Sequence, residues 1–153
     1  MIPSLDSTLA EAVAANCDCV QIKYDGMHAT LATVKGQGTI TTRWNNTDAT
    51  VKVNSNVNCT LIGSFRLSHL FFYVTDCWCV EEPEGNIVDL RREPYRARYV
   101  AAKIQMKLLN PTGPISFSLV PSLPITRAEE LWRSLSSLPN VKGLIFRRSM
   151  DPA

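Results

Sequence analysis

No apolar run in this sequence approaches the ~20 residues that cross a bilayer, so no membrane-spanning helix is expected. Neither sign of charge dominates: 16 Lys and Arg stand against 14 Asp and Glu, a formal net charge of +2. Bulk charge therefore gives no reason of its own to expect nucleic-acid binding. Histidine is scarce, and His28 and His69 have no partner at metal-ligand spacing. There is no internal repeat, low-complexity tract or linker. The opening Met1-Ile2-Pro3-Ser4-Leu5-Asp6 lacks the basic-then-apolar order of a signal peptide. These absences predict an intracellular protein, nuclear or cytoplasmic, with no membrane partner.

What is present is an ordinary globular composition. Apolar residues make up 45% of 153 residues, enough for one sizeable core, so a single domain spanning 1–153 is expected. The five cysteines form two C-x-C pairs, Cys17-Asp18-Cys19 and Cys77-Trp78-Cys79, with Cys59 alone. Zinc sites favour wider C-x-x-C spacing, whereas C-x-C on a strand merely puts both sulfurs on one face. Buried, reduced thiols are expected, with no metal.

Periodicity divides the chain in two. Leu5–Ala15 reads as a short helix capped by Asp6 or Ser7. Six β-like runs follow: 19–23, 28–34, 39–43, 50–53, 60–65 and 70–77. Turn-formers such as Asp25-Gly26 and Lys35-Gly36-Gln37-Gly38 separate them. Such short connections predict antiparallel pairing, because parallel strands need long crossovers. Beyond residue 90, Pro94 marks the start of a helix running to Asn110. Residues 115–120 form a strand candidate. Thr126-Arg127-Ala128-Glu129 reads as a capping box opening a helix through Trp132 and Leu135, and 143–148 is a last strand. The expected class is α+β: mostly antiparallel sheets with a few packed helices.

The chemistry-bearing segment is Ile22-Lys23-Tyr24-Asp25-Gly26-Met27-His28, a K-x-D-G motif between two strand candidates. A lysine nucleophile must lose its proton, and desolvation or neighbouring cations lower its pKa. A glycine in the next turn lets the backbone bend sharply and leaves the lysine at a pocket mouth. The plain reading is an Asp-Gly hairpin turn beside a surface lysine.

Four further segments follow in order: Ile40-Thr41-Thr42-Arg43-Trp44, Thr60-Leu61-Ile62-Gly63-Ser64-Phe65, Leu70-Phe71-Phe72-Tyr73-Val74-Thr75-Asp76-Cys77 and Lys142-Gly143-Leu144-Ile145-Phe146. Together with the K-x-D-G motif they resemble the collinear motifs of the covalent nucleotidyltransferases, that is, mRNA capping enzymes and polynucleotide ligases. The resemblance covers nearly the whole chain. It implies a nucleotidyltransferase-like domain lacking the OB domain, with Lys23 in the nucleotidyl-lysine position. It further implies that Asp25, Gly26, His28, Arg43, Trp44, Ser64, Asp76 and Lys142 line a nucleotide site.

The departures from the family pattern carry as much weight. Ser64 stands where the family has the glutamate of "DGE", which contacts ribose or metal. Lys142 replaces the acidic residue of "EGLIF", which helps hold the divalent ion. His28 replaces a common arginine, and the closing K-x-K strand is not found. Phosphoryl transfer depends on metal and cationic clamps around developing charge. The chain is also similar to snurportin, the import adaptor for trimethylguanosine-capped small nuclear RNAs, in the Tyr73–Trp78 segment and the approach to its last motif.

GTP, ATP or a cap nucleotide is thus the implied ligand, with Mg2+ or Mn2+ only if catalysis survives. The expected function is binding of a nucleotide or RNA 5′ cap with little or no catalysis. The alternatives are an active RNA nucleotidyltransferase forming a Lys23–nucleotide intermediate, and a structural subunit with a vestigial pocket. Capped RNA, and a protein partner completing the pocket, are the implied associates. Trp44 reads plainly as a partly buried core residue, or more sharply as the stacking face, and Trp132 is the expected core residue. Arg91, Arg92, Arg96 and Arg98 read plainly as a solvated basic face, or more sharply as an RNA-backbone contact.

Overall fold

The computed structural model describes residues 5–42 and 47–153. The element order is α1 (Leu5–Ala14), β1 (Cys19–Tyr24), β2 (Met27–Val34), β3 (Gln37–Thr42), β4 (Thr47–Lys52), β5 (Cys59–Arg66) and β6 (Phe71–Glu81). There follow β7 (Ile87–Asp89), α2 (Tyr95–Leu109), β8 (Ser116–Leu119), β9 (Leu123–Pro124), α3 (Ala128–Leu135) and β10 (Val141–Arg147).

These strands build two sheets. A three-stranded sheet has the order β10-β1-β9, and a seven-stranded sheet runs β4-β3-β2-β5-β6-β7, with β8 also paired to β6. All pairings are antiparallel except β6 with β8, which pairs Phe71 with Ser116 through Val74 with Leu119. That parallel pair is possible because α2 supplies the crossover between them, as parallel geometry demands. Alternating apolar residues of the large sheet, Leu31, Ile40, Leu61, Phe72 and Val74, form one core with Ala102 and Leu109 of α2.

The α+β expectation is corrected. Strand outweighs helix, 44% to 25%, and the helices do not make a packed layer of their own. Instead α2 lies on β6, while α3 meets β10 and α1. The shortfall in the sequence reading has local causes. β6 runs on through Trp78 to Glu81, where all four side chains are only half-buried and no alternation marks the strand. The short strands β7 and β9 carry too few residues to show a period. Thr126 does not cap a helix: residues Ile125–Arg127 form a 3-10 turn, and α3 begins at Ala128 with no side-chain cap.

Candidate functional site

The K-x-D-G segment does not form a hairpin. β1 belongs to the small sheet and β2 to the large one, so Asp25-Gly26 carries the chain from one sheet to the other. Gly26 is required at this crossing. Its φ is +154°, and a Cβ placed on it would stand 3.0 Å from the backbone carbon and oxygen of Phe65 in β5. The Asp25 amide donates to the Asn140 carbonyl at 2.7 Å, fixing the turn to the segment before β10.

Lys23 ends the regular part of β1. It pairs with Gly143, after which the register slips before Tyr24 pairs with Val141. Lys142 is the extra residue in that irregularity, and such bulges re-aim side chains. By strand alternation Lys23 shares a face with Cys19 and Gln21. That face looks toward the large sheet, because Gln21 donates to the Val120 carbonyl just past β8. Gln21 is fully buried whereas Lys23 is exposed, so packing stops at the lysine. Space is open around its partner too: a Cβ on Gly143 would meet nothing within 4 Å.

The large sheet presents a row of residues toward β1. His28 pairs with Ser64, and Ser64 with Tyr73, across β2, β5 and β6. Tyr73 stacks on Tyr24, ring centroids 4.1 Å apart and 5° between planes, and Phe71 stacks on Tyr73 at 4.5 Å. Asn140 donates to the Tyr73 hydroxyl at 3.1 Å. Burial, and then the neighbouring Tyr73, push the Tyr24 hydroxyl pKa up, so the phenol stays neutral. Gly63 sets how closely β5 and β6 meet here, since a Cβ on it would overlap the Tyr73 carbonyl oxygen at 1.9 Å. At the end of β5, Arg66 Nε lies 3.8 Å from the Asp25 carboxylate. That Nε is buried and has no hydrogen-bond partner among the described residues.

The structure therefore gathers Lys23, Asp25, Gly26, His28, Ser64 and Lys142 around one crossing between the sheets. Arg43 and Trp44 lie outside the described residues. Asp76 is not part of the group. Its carboxylate accepts from Arg98 Nε at 2.9 Å, from its neighbour's Cys77 amide at 2.7 Å and from Trp78 Nε1 at 3.3 Å, all beneath α2. Tyr24, Tyr73, Phe71 and Arg66, which the motifs do not single out, also stand at this crossing. The alternation of Phe71 and Tyr73 about Phe72 puts two rings on one strand face, which was the available signal.

The donor set does not fit a divalent metal. Neither Ser64 nor Lys142 carries a carboxylate, Asp25 faces Arg66, and Asp76 is bound by Arg98. No group of three or more His, Cys, Asp or Glu among the described residues could hold such an ion. Mg2+ and Mn2+ prefer several oxygen ligands, and a neighbouring ammonium opposes them.

No family model matches the sequence. No curated protein matches it either. Among solved structures, a Lig E DNA ligase, described as binding DNA with a minimal scaffold, is similar in fold. The TM-score is 0.56 at 15% identity, covering 88% of this chain and 56% of that one. The chain thus spans little more than half of that ligase, and the likeness is one of fold. No helix among the described residues is long and apolar enough to cross a membrane.

Proposed function

We propose that this ligase-like domain binds a nucleotide or nucleic-acid phosphate at Lys23 without needing a metal, and transfers nucleotidyl groups weakly or not at all. The observation that carries this reading is the exposed Lys23 opposite side-chain-free Gly143, with the bulged Lys142 beside it. An ammonium in place of a metal-holding carboxylate neutralises phosphate oxygens directly, where a bound cation would otherwise do so. Ser64 and His28 offer hydrogen-bonding groups on the facing sheet. A guanine nucleotide, ATP or an RNA 5′ cap meets these requirements, and a partner protein completing the pocket would add to them.

A second reading keeps catalysis. Lys23 makes no ion pair among the described residues, so its amine is free to react once deprotonated. It would form a P–N bond to the α-phosphate, expelling pyrophosphate and releasing its proton to water. Calorimetry with GTP, ATP and a cap analogue, in EDTA and then in magnesium or manganese, separates the readings when paired with intact-mass measurement. Binding in EDTA without a mass gain supports the first. A nucleoside-monophosphate adduct abolished by Lys23→Ala supports the second. No heat with any ligand, from folded protein, leaves a structural subunit with a vestigial pocket.

A further inference from the structure

At the opposite end of β1 and β10 from Lys23, a cavity of about 530 Å3 opens where the end of α1, the start of α2 and the segment after β10 meet. Arg98, Arg147, Arg148, Tyr95, Asn16 and Asp151 line its polar part. Two of the three guanidiniums are already matched. Arg98 pairs with buried Asp76 at 2.9 Å and also donates to the Glu93 and Asp151 carbonyls, and Arg148 pairs with Asp151 at 2.7 Å. Arg147 is different. Its Nε donates to Gln21 Oε1 at 3.0 Å, and its guanidinium carbon sits 4.5 Å over the Tyr95 ring. Among the described residues it has no carboxylate partner, and its terminal nitrogens make no hydrogen bond.

That arrangement fixes the guanidinium plane before any ligand arrives. Gln21 is fully buried and held in turn by the Val120 carbonyl. Tyr95 is 2% exposed, and its hydroxyl donates to the Thr75 carbonyl at 2.7 Å. With Nε occupied and one face covered by the ring, the two terminal amino groups are the remaining donors. A guanidinium presenting two parallel N–H groups matches two oxygens of a phosphate. Pre-orientation also reduces the side-chain entropy lost on binding. The acidic residue lining the cavity, Asp151, is paired with Arg148, and Asp76 and Asp18 are engaged by Arg98 and Ser149. The cavity's volume lies within the range of ligand pockets.

We propose that this cavity is a second anion site, anchored by Arg147 and taking a phosphate group, either free or at the end of a nucleic-acid strand. It is independent of the Lys23 reading, and each can fail without the other. The test titrates the intact protein with inorganic phosphate and with a trinucleotide carrying or lacking a 5′-phosphate. Binding is followed through the Arg147 Nε–H resonance, which its Gln21 partner protects from exchange. Saturable shifts of that resonance are expected with at least one phosphorylated probe and not with the unphosphorylated trinucleotide. Response to inorganic phosphate would identify a free-ion site, and response to the 5′-phosphoryl strand alone a strand-end site. Arg147→Gln should weaken the interaction about tenfold or more, as loss of a charge-assisted pair of hydrogen bonds implies, whereas Lys23→Ala should leave it unchanged. If Arg147→Gln does not fold, the wild-type resonance decides alone. No saturable shift with any phosphorylated probe, or a shift that Lys23→Ala abolishes, would overturn the proposal.

Discussion

Tyr24 and Tyr73 stack almost parallel, 4.1 Å between ring centroids, although one extends from the three-stranded sheet and the other stands in the seven-stranded one. The pair clasps the two sheets beside Lys23. A double-mutant cycle with Tyr24→Leu and Tyr73→Leu, read by denaturant unfolding, should give a coupling of ~0.5–1.5 kcal/mol beyond simple burial. Additive effects would show that the rings touch without supporting each other.

Gly63 tolerates no side chain. Because its Cβ would lie 1.9 Å from the Tyr73 carbonyl oxygen, Gly63→Ala must push β5 and β6 apart. Overpacking of this kind costs about 1–3 kcal/mol or more, and thermal unfolding should show a lowered midpoint. An unchanged midpoint would mean that the strands separate freely.

The Asp76–Arg98 pair is structural. Both side chains are nearly fully buried, so removing one strands the other's charge. Arg98→Met or Asp76→Leu alone should destabilise by about 3–5 kcal/mol, and the two combined should recover much of that loss. Urea midpoints of the three variants check this. A double variant no better than the worse single one would contradict it.

Cys77 makes stability fall on the alkaline side. Burial raises its thiol pKa from 9.0 to about 12. A folded pKa above the unfolded value contributes stability that is complete below pH 9 and is lost as pH climbs toward 12. Cys77→Ala should flatten the stability profile between those values, once its uniform packing cost is subtracted. At neutral pH the folded thiol should resist iodoacetamide, since the thiolate is the reactive form.

At the proposed phosphate site, Lys23→Ala should leave the unfolding midpoint nearly unchanged, as expected for an exposed side chain. It should weaken nucleotide binding by roughly 1–3 kcal/mol where the ammonium makes a charge-assisted hydrogen bond. Added salt should weaken the wild type as well. Calorimetry at two ionic strengths gives both numbers, and equal affinity of variant and wild type would remove Lys23 from the site.

Strand positions were legible because period-two alternation is a local property: the candidates at 19–23, 28–34 and 60–65 fall within β1, β2 and β5. Which strands share a sheet was not. Asp25-Gly26 has the composition of a hairpin turn, and only the pairing of β1 with β10, near the other end of the described chain, shows that it is a crossing. The aspartate ending an aromatic strand likewise looks the same locally whether it faces a ligand or a helix. Asp76 meets Arg98, 22 residues away on α2, a contact fixed by where that helix docks. The bulge at Lys142 comes from a register slip between β1 and β10 that no single strand encodes.

The pairing of β1 with β10 also orders events during folding. Cys19 and Arg147 are 128 residues apart, so joining them closes a loop whose logarithmic entropy cost alone is roughly 4 kcal/mol. The large sheet, built mainly from strands adjacent in sequence, has no such wait. On a ribosome the hairpins of β2 to β6 can form while β10 is still unmade. Lys23 then lies beyond the only part of β1 that β9 pairs, Cys19 and Val20, and it acquires its neighbours Gly143 and Lys142 only when β10 arrives.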